Sequence, residues 1–346
     1  MADVTIYGAG VFGLSIAWSC ITRGAKVRVI EKKSVGAGSS GGPVGALSPH
    51  TPDNWNVKKQ FQLDSLMMSK KYWTDLEYET GRSTGFINSG RIQAIQDKRQ
   101  LVLAKERIES AKVRWGNSVV WEVVDGSNLL TWKPLSKTGS YIYDNLSSTI
   151  APNAALSALS EAIVRSGSEI IIGQAKEQGK VLYAAGYEDL ENISDVLKKP
   201  MGFGVKGQAL IVKHDGRKLP QLSFNGIHAV PHLNGTVAIG STNEKAFSDA
   251  SNNDFLLDEL YQDAIFNLPV LKGAEIITRW AGVRPSARKR LPILGRHPIY
   301  QGAYIANGGF KIGFSLAPKV AEVMACLLYT SPSPRDATLS RMPSSA

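Results

Sequence analysis

The chain has 346 residues, 43% of them hydrophobic and 20% charged, with a formal net charge of +10. That length supports two folded units sharing an interface, and the two cysteines, Cys20 and Cys326, give no basis for a disulfide framework. The N-terminus carries neither the basic stretch nor the small-residue cleavage site of an export signal, so a cytoplasmic protein is expected. The apolar stretch from Val11 to Ile21 is too short to span a bilayer and is interrupted by Gly13 and Ser15, so no membrane partner is expected. The basic surplus would attract polyanions. Its densest cluster, Arg288-Lys289-Arg290, lacks interleaved aromatics, and an ordinary basic surface therefore outweighs nucleic-acid contact.

In chain order, the apolar run Val4 to Tyr7 reads as a strand, Gly8-Ala9-Gly10-Val11-Phe12-Gly13 as a tight turn, and the stretch to Arg23 as a helix stopped by Gly24. In this pattern Gly8 permits the sharp turn, Gly10 lets the backbone approach a pyrophosphate, and Gly13 lets the helix pack close to the strand. The phosphate would rest on the helix N-terminus, where free N–H groups and the dipole favour an anion. A second strand, Lys26 to Ile30, ends at Glu31, at the spacing of an acidic residue that binds a ribose hydroxyl and disfavours a 2′-phosphate. Gly36 to Gly42 follows directly and offers amides and hydroxyls to a further stretch of cofactor, although its composition also suits a flexible linker.

Helical periodicity covers Lys58 to Glu79 and Asn153 to Arg165. Strands at Glu169 to Ile172 and from Val181 flank the short segment Gly173 to Lys180, and Gly226 to Gly240 alternates like a strand pair turned at Asn234-Gly235. No histidine, cysteine or carboxylate group has metal-ligand spacing, and no nucleophile-base arrangement stands out.

These motifs resemble those of the D-amino-acid oxidase-like family of FAD enzymes, which includes glycine oxidase, sarcosine oxidase and the FAD domain of the bifunctional tRNA wobble-uridine modification enzyme. The likeness runs through most of residues 1–325. Beyond the N-terminal glycines it takes in a second glycine block, Gly38 to Leu47; Gly90-Arg91-Ile92; the strand and turn Val181 to Gly186; and Lys206-Gly207-Gln208. It continues with Trp280-Ala281-Gly282-Val283-Arg284-Pro285, Leu291 to Gly295, and Asn307-Gly308-Gly309-Phe310-Lys311-Ile312-Gly313. The chain departs from the family at Gly173 to Lys180, where relatives insert a longer excursion, and at Lys289-Arg290, where many relatives are acidic.

The resemblance implies a mixed α/β fold. A Rossmann-type FAD-binding domain would comprise residues 1–82, 140–198 and 281–325, and a substrate domain on a mixed antiparallel sheet would be inserted as 83–139 and 199–280. It implies FAD contacts from Gly8, Gly10, Val11, Phe12, Gly13, Glu31, Lys32, Ser39, Ser40, Gly41, Gly45, Ala46, Ala185, Gly186, Gly308, Gly309, Phe310, Lys311 and Ile312. The cofactor is expected to be non-covalent, since no cysteine or histidine stands in Gly38 to Ala46.

The implied activity is oxidation of the C–N bond of a small amino acid or secondary amine, of the D-amino acid, glycine or sarcosine type. Hydride would pass to the flavin, and dioxygen or another acceptor would reoxidise it. Arg284 would hold a substrate carboxylate through two parallel hydrogen bonds, where a structural ion pair is the competing reading. Lys311 would assist near the flavin, and a solvated lysine is its competing reading. His50 and His232 are the histidines placed nearest the pocket, although structural histidines are commoner. The alternatives are a tRNA wobble-uridine oxidoreductase and a flavin-binding subunit that needs a partner.

The last residues, 326–346, read as foreign to the fold. Cys326 to Asp336 can be back-translated into a sequence that resembles a transposon-end sequencing adapter and Ser340 to Ala346 into one that resembles its flow-cell end, so the helix is expected to stop near Ala325, while the composition would also allow a natural disordered Ser/Pro tail.

Overall fold

In the computed structural model, which describes residues 1–330, the chain begins with β1 (Val4–Tyr7), α1 (Val11–Ile21) and β2 (Val27–Glu31). After β3 (Ala46–Leu47), α2 (Val57–Thr80) opens with the Asn56 side chain accepting from the Lys59 amide and closes on Gly81 in the left-handed region. Then come β4 (Arg91–Ala94), α3 (Lys98–Trp115), β5 (Trp121–Asp125), β6 (Ser140–Asp144) and β7 (Ser148–Thr149). A proline at the first position starts α4 (Pro152–Arg165), followed by β8 (Glu169–Ile172), β9 (Lys180–Tyr183) and α5 (Tyr187–Leu197). The next stretch holds β10 (Gly202–Lys213), β11 (Gln221–Phe224), β12 (Ile227–Pro231), β13 (Thr236–Gly240), α6 (Phe255–Asn267) and β14 (Ile276–Ala287). The chain returns through β15 (Ile293–Arg296), β16 (Tyr304–Asn307) and α7 (Gly313–Thr330).

Two large sheets result. One has the order β15-β16-β9-β1-β2-β8 and is parallel except for β15, which runs antiparallel to β16. Ile6 and Val29 of this sheet bury against Leu14 and Ile16 of α1, Leu159 of α4, and Val320 and Met324 of α7, and Trp73 of α2 completes the same core. The other sheet has the order β14-β10-β13-β12-β11-β4-β6-β5 and is antiparallel apart from the parallel pair β11/β4. It buries Leu210, Leu222, Phe224, Ile227 and Ile239 with Leu257 of α6. Because side chains alternate along a strand, Ser223 and His228, which pair across β11 and β12, point away from that core. This second face meets residues 42–48: Gln221 Nε2 donates to Leu47 O at 3.2 Å, and Ser48 Oγ donates to Gln221 Oε1 at 2.9 Å.

The mixed α/β architecture is the one expected. Sheet membership nevertheless crosses two expected breakpoints, since residues 140–144 pair with β4 and β5, and residues 281–287 continue β14 within the eight-stranded sheet. The short connection after β8 is tied down. Gln178 accepts from Ala2 N at 2.6 Å and exchanges two hydrogen bonds with Thr5, and Gly173 N donates to Glu31 O at 2.7 Å.

The expected stop at Ala325 is corrected. α7 continues to Thr330, Leu328 is buried, Tyr329 Oη donates to Arg23 O at 2.8 Å, and the Lys180 ammonium donates to Leu328 O. The rest of the expected foreign tail, residues 331–346, lies outside the described residues.

Arg91 of β4 donates through Nε and Nη2 to Asp144 Oδ2 of β6, both at 2.9 Å, with side-chain exposures of 9% and 0%. Removing the carboxylate would strand a buried guanidinium. Asp144→Ala is expected to lower unfolding stability by about 3–5 kcal/mol in urea titration, and a loss under about 1 kcal/mol would show that water reaches the pair.

Candidate active site

Three turns converge at the C-terminal ends of β1 and β2. Gly8 sits at φ +102°, and a Cβ there would lie 2.3 Å from Ala184 O; at Gly13 it would lie 1.9 Å from Gly8 O. Packing within the protein therefore fixes both glycines. Gly10 is different, because the nearest atom to its would-be Cβ is Ser40 Oγ at 3.1 Å, so its bareness keeps space open instead. The second glycine loop closes over this space: Gly36 N donates to Ala9 O at 3.0 Å and Val11 N to Ser40 Oγ at 3.0 Å. Glu31 braces the first turn, accepting from Ala9 N at 2.8 Å and Lys33 N at 3.0 Å. α1 begins on Gly10, which makes no side-chain cap, and has no acidic residue in its first turn; apart from Val11 N, taken by Ser40 Oγ, its positive end is left for an anion. Lys32 is exposed, with its ammonium 3.7 Å from Glu188.

The next wall comes from two strand ends and the start of α7. Asn307 Nδ2 donates to Gly186 O at 2.8 Å, and Gly308 N donates to Asn307 Oδ1 at 2.7 Å. Phe310, at φ +45°, donates its amide to Pro285 O at 3.1 Å. The turn 308–312 is thereby fastened both to the residues after β9 and to the residue after Arg284. A cavity of about 200 Å³ lies against it, bounded by His50, Lys58, Arg290, Gly308, Gly309, Phe310 and Ile312. His50 lines this cavity, but its Nδ1 and its amide both address Gln62 Oε1, and burial lowers its pKa. His232 is buried with its Nε2 unpartnered and is not part of this lining.

Arg284 on β14 is 7% exposed. Its guanidinium rests on Gly207 of β10, where a Cβ would fall 1.9–2.1 Å from its atoms, so only glycine admits it. The one hydrogen bond it makes among the described residues is Nη1 to Thr242 O, at 3.3 Å, and no carboxylate stands at ion-pairing distance. Burial pushes its pKa down to about 10, with the charge of Glu244 acting in the opposite sense. Burial also lowers the pKa of Lys311, and repulsion from Arg284 adds to it, so the two cations share one region.

His228 completes the group and was missed in the sequence. Its Nδ1 is buried without a partner, and burial with the nearby charges of Arg91 and Lys311 pushes its pKa down to about 4. The available signal was strand alternation, which puts 228 opposite the apolar residues 227 and 229.

This arrangement is that of a dinucleotide-binding fold with two cations, Arg284 and Lys311, in one region beside it. The FAD dependent oxidoreductase (DAO) family model matches residues 3–327. The chain belongs to that family. It is 25% identical to the glycine oxidase of Pseudomonas aeruginosa over 368 residues, covering 94% of each chain. It is also 25% identical to the glycine oxidase of Geobacillus kaustophilus, covering 94% of this chain and 92% of the relative. The crystal structure of glycine oxidase from Geobacillus kaustophilus superposes with TM-score 0.83 at 20% identity over 96% of each chain. Iminodiacetate oxidase from Chelativorans gives 0.81 at 19% identity, again over 96% of each. Among the described residues no helix is long and apolar enough to cross a membrane.

The cofactor of this family is FAD, and the open space at Gly10, the start of α1 without an acidic residue and the braced Glu31 fit its pyrophosphate and ribose. The glycines separate fold from cofactor. Gly10→Val is expected to fold but elute colourless from desalting, while Gly13→Ala loses thermal stability. Full flavin occupancy in Gly10→Val, read by absorbance, would contradict this.

Proposed function

We propose that the protein oxidises the C–N bond of a small amino acid or secondary amine bearing a carboxylate, of the glycine, sarcosine or D-amino acid type. The observation that carries this reading is Arg284, a buried guanidinium with one long hydrogen bond and no paired carboxylate. A buried charge is retained only when something compensates it, and a planar guanidinium suits a carboxylate at two points. The names of the relatives support the same substrate class. They do not favour the tRNA-modification alternative.

FAD, when bound, supplies the hydride acceptor and passes electrons on to dioxygen or another acceptor. In this reading Gly8, Gly10, Val11, Phe12 and Gly13 line its pyrophosphate, and Glu31 takes its adenosine ribose. Ser39, Ser40, Gly41, Gly45 and Ala46, with Ala185 and Gly186, border the rest. Gly308, Gly309, Phe310, Lys311 and Ile312 border the flavin ring, and the cofactor is held without a covalent bond. Arg284 fixes the carboxylate end of the substrate, so that the carbon bearing the amine has one approach. Lys311 adds a second positive charge where negative charge collects during the reaction. His228 is neutral at physiological pH, because its pKa is depressed, and it offers a hydrogen-bonding nitrogen to the same space.

Substrate screening should use glycine, sarcosine, D-alanine and D-proline with the purified flavoprotein, following peroxide and flavin bleaching. On the best of them Arg284→Ala is expected to lower kcat/KM by about 30- to 5000-fold, equivalent to about 2–5 kcal/mol. Arg284→Lys should recover only part of that loss. Near-normal kcat/KM in Arg284→Ala would point to a substrate without a carboxylate.

A further inference from the structure

Arg284 is seated at two points, the backbone of Gly207 beneath it and the carbonyl of Thr242 at the end of Nη1. The second point depends on an irregular stretch of the sheet. Where β10 and β13 pair regularly, Ala209 faces Gly240. Beyond that, Lys206 faces Glu244 through two backbone hydrogen bonds of 2.9 Å. Residues 241–243 thus stand opposite only residues 207 and 208, so the later segment carries one extra residue, as in a bulge. In a hydrogen-bonded antiparallel pair the two residues exchange both of their amide-to-carbonyl bonds. Gln208 and Thr242 make one half of that exchange, since Thr242 N donates to Gln208 O at 3.1 Å. The return bond is diverted: Gln208 N donates to the Thr242 hydroxyl, at 2.8 Å, and not to the Thr242 carbonyl. That carbonyl accepts from Arg284 instead.

A hydroxyl accepts from an amide only while its own proton points elsewhere, and here the proton goes to the carboxylate of Glu244. Glu244 also accepts from Gln208 Nε2 at 3.1 Å and lies 3.5 Å from the Lys206 ammonium. The register turns Lys206, Gln208 and Glu244 to the face of the sheet opposite Arg284, so Thr242 joins the two faces, its hydroxyl on one and its carbonyl on the other. We infer that the Thr242 hydroxyl, by taking the place of its own carbonyl as acceptor for Gln208 N, frees that carbonyl to aim Arg284 at the substrate carboxylate. Thr242 is on this account a positioning residue that does not touch substrate. The inference rests on the reading of Arg284 given above and deepens it, because it names the group that sets the direction of the guanidinium.

The test is acetate titrated into the FAD-loaded protein and followed by the visible flavin spectrum, alongside KM and kcat on the best amino-acid substrate and on its uncharged amide. Thr242→Val keeps the branched shape and removes the hydroxyl, so Gln208 N is left to compete with Arg284 for the carbonyl. That variant should weaken acetate binding and raise KM for the acid by about tenfold, while kcat stays within about threefold. Its KM for the amide should change by less than about twofold, which general loosening of the site would not allow. Thr242→Ser keeps the hydroxyl and should return acetate affinity to near the parental value. The inference is overturned if folded Thr242→Val binds acetate normally, if acid and amide lose affinity alike, or if Thr242→Ser is as weak as Thr242→Val. If Thr242→Val does not fold, Thr242→Ala takes its place under the same criteria. Arg284→Ala in the same titration separates the two levels. Retained acetate affinity in that variant defeats the reading of Arg284 itself, whereas lost affinity there with a normal Thr242→Val defeats the inference alone.

Discussion

A guanidinium removed from water without a matching carboxylate is the constraint on which the active-site arrangement depends. Arg284 is held in that condition by the backbone of Gly207 beneath it and by a single carbonyl, and the protein bears the cost of its desolvation continuously. Such a charge is tolerated where a ligand completes it. Packing explains why it is inaccessible to water, and strand alternation, which turns Lys206 and Glu244 to the opposite face of the sheet, explains why that acid has not reached it.

The site exists only because two sheets of different character are locked together around it. The six-stranded parallel sheet presents the glycine turns at its strand ends, and the eight-stranded sheet presents one polar face. They meet where the Trp280 ring of β14 lies against Gly42, 3.0 Å from a would-be Cβ, and where Gln221 of β11 reaches the backbone of Leu47 and Ser148. The amide of Phe310 on Pro285 then fixes the start of α7 relative to Arg284. Three distant stretches of sequence are thus brought to one space by ordinary backbone hydrogen bonds.

Much of this was legible in the sequence for local reasons. The first turn reads from its glycines because Gly8 and Gly13 are dictated by close backbone contacts, which act over a few residues. The hairpin at Asn234-Gly235 reads for the same reason, and Gly235 does sit at φ +79°. What the sequence withheld depends on register and long-range pairing. His228 enters the site only through the alternation of β12 within its sheet, and Lys206 and Glu244 meet through a bridge between remote segments. The end of α7 was misread because Leu328 and Tyr329 are helical by virtue of burial against the first unit of the fold, which local composition does not reveal. The expected domain breakpoints failed to match sheet membership at β6 and β14, since strand partners are chosen across the whole chain.

The central claim is that the pocket recognises a carboxylate beside the carbon that loses hydride. Its most direct test is anaerobic bleaching of the bound flavin by sarcosine compared with its uncharged amide at equal concentration. The account predicts rapid bleaching by the acid and a rate lower by about a hundredfold or more with the amide, as expected when a buried charge is left without its partner. Equal bleaching by the two would contradict it.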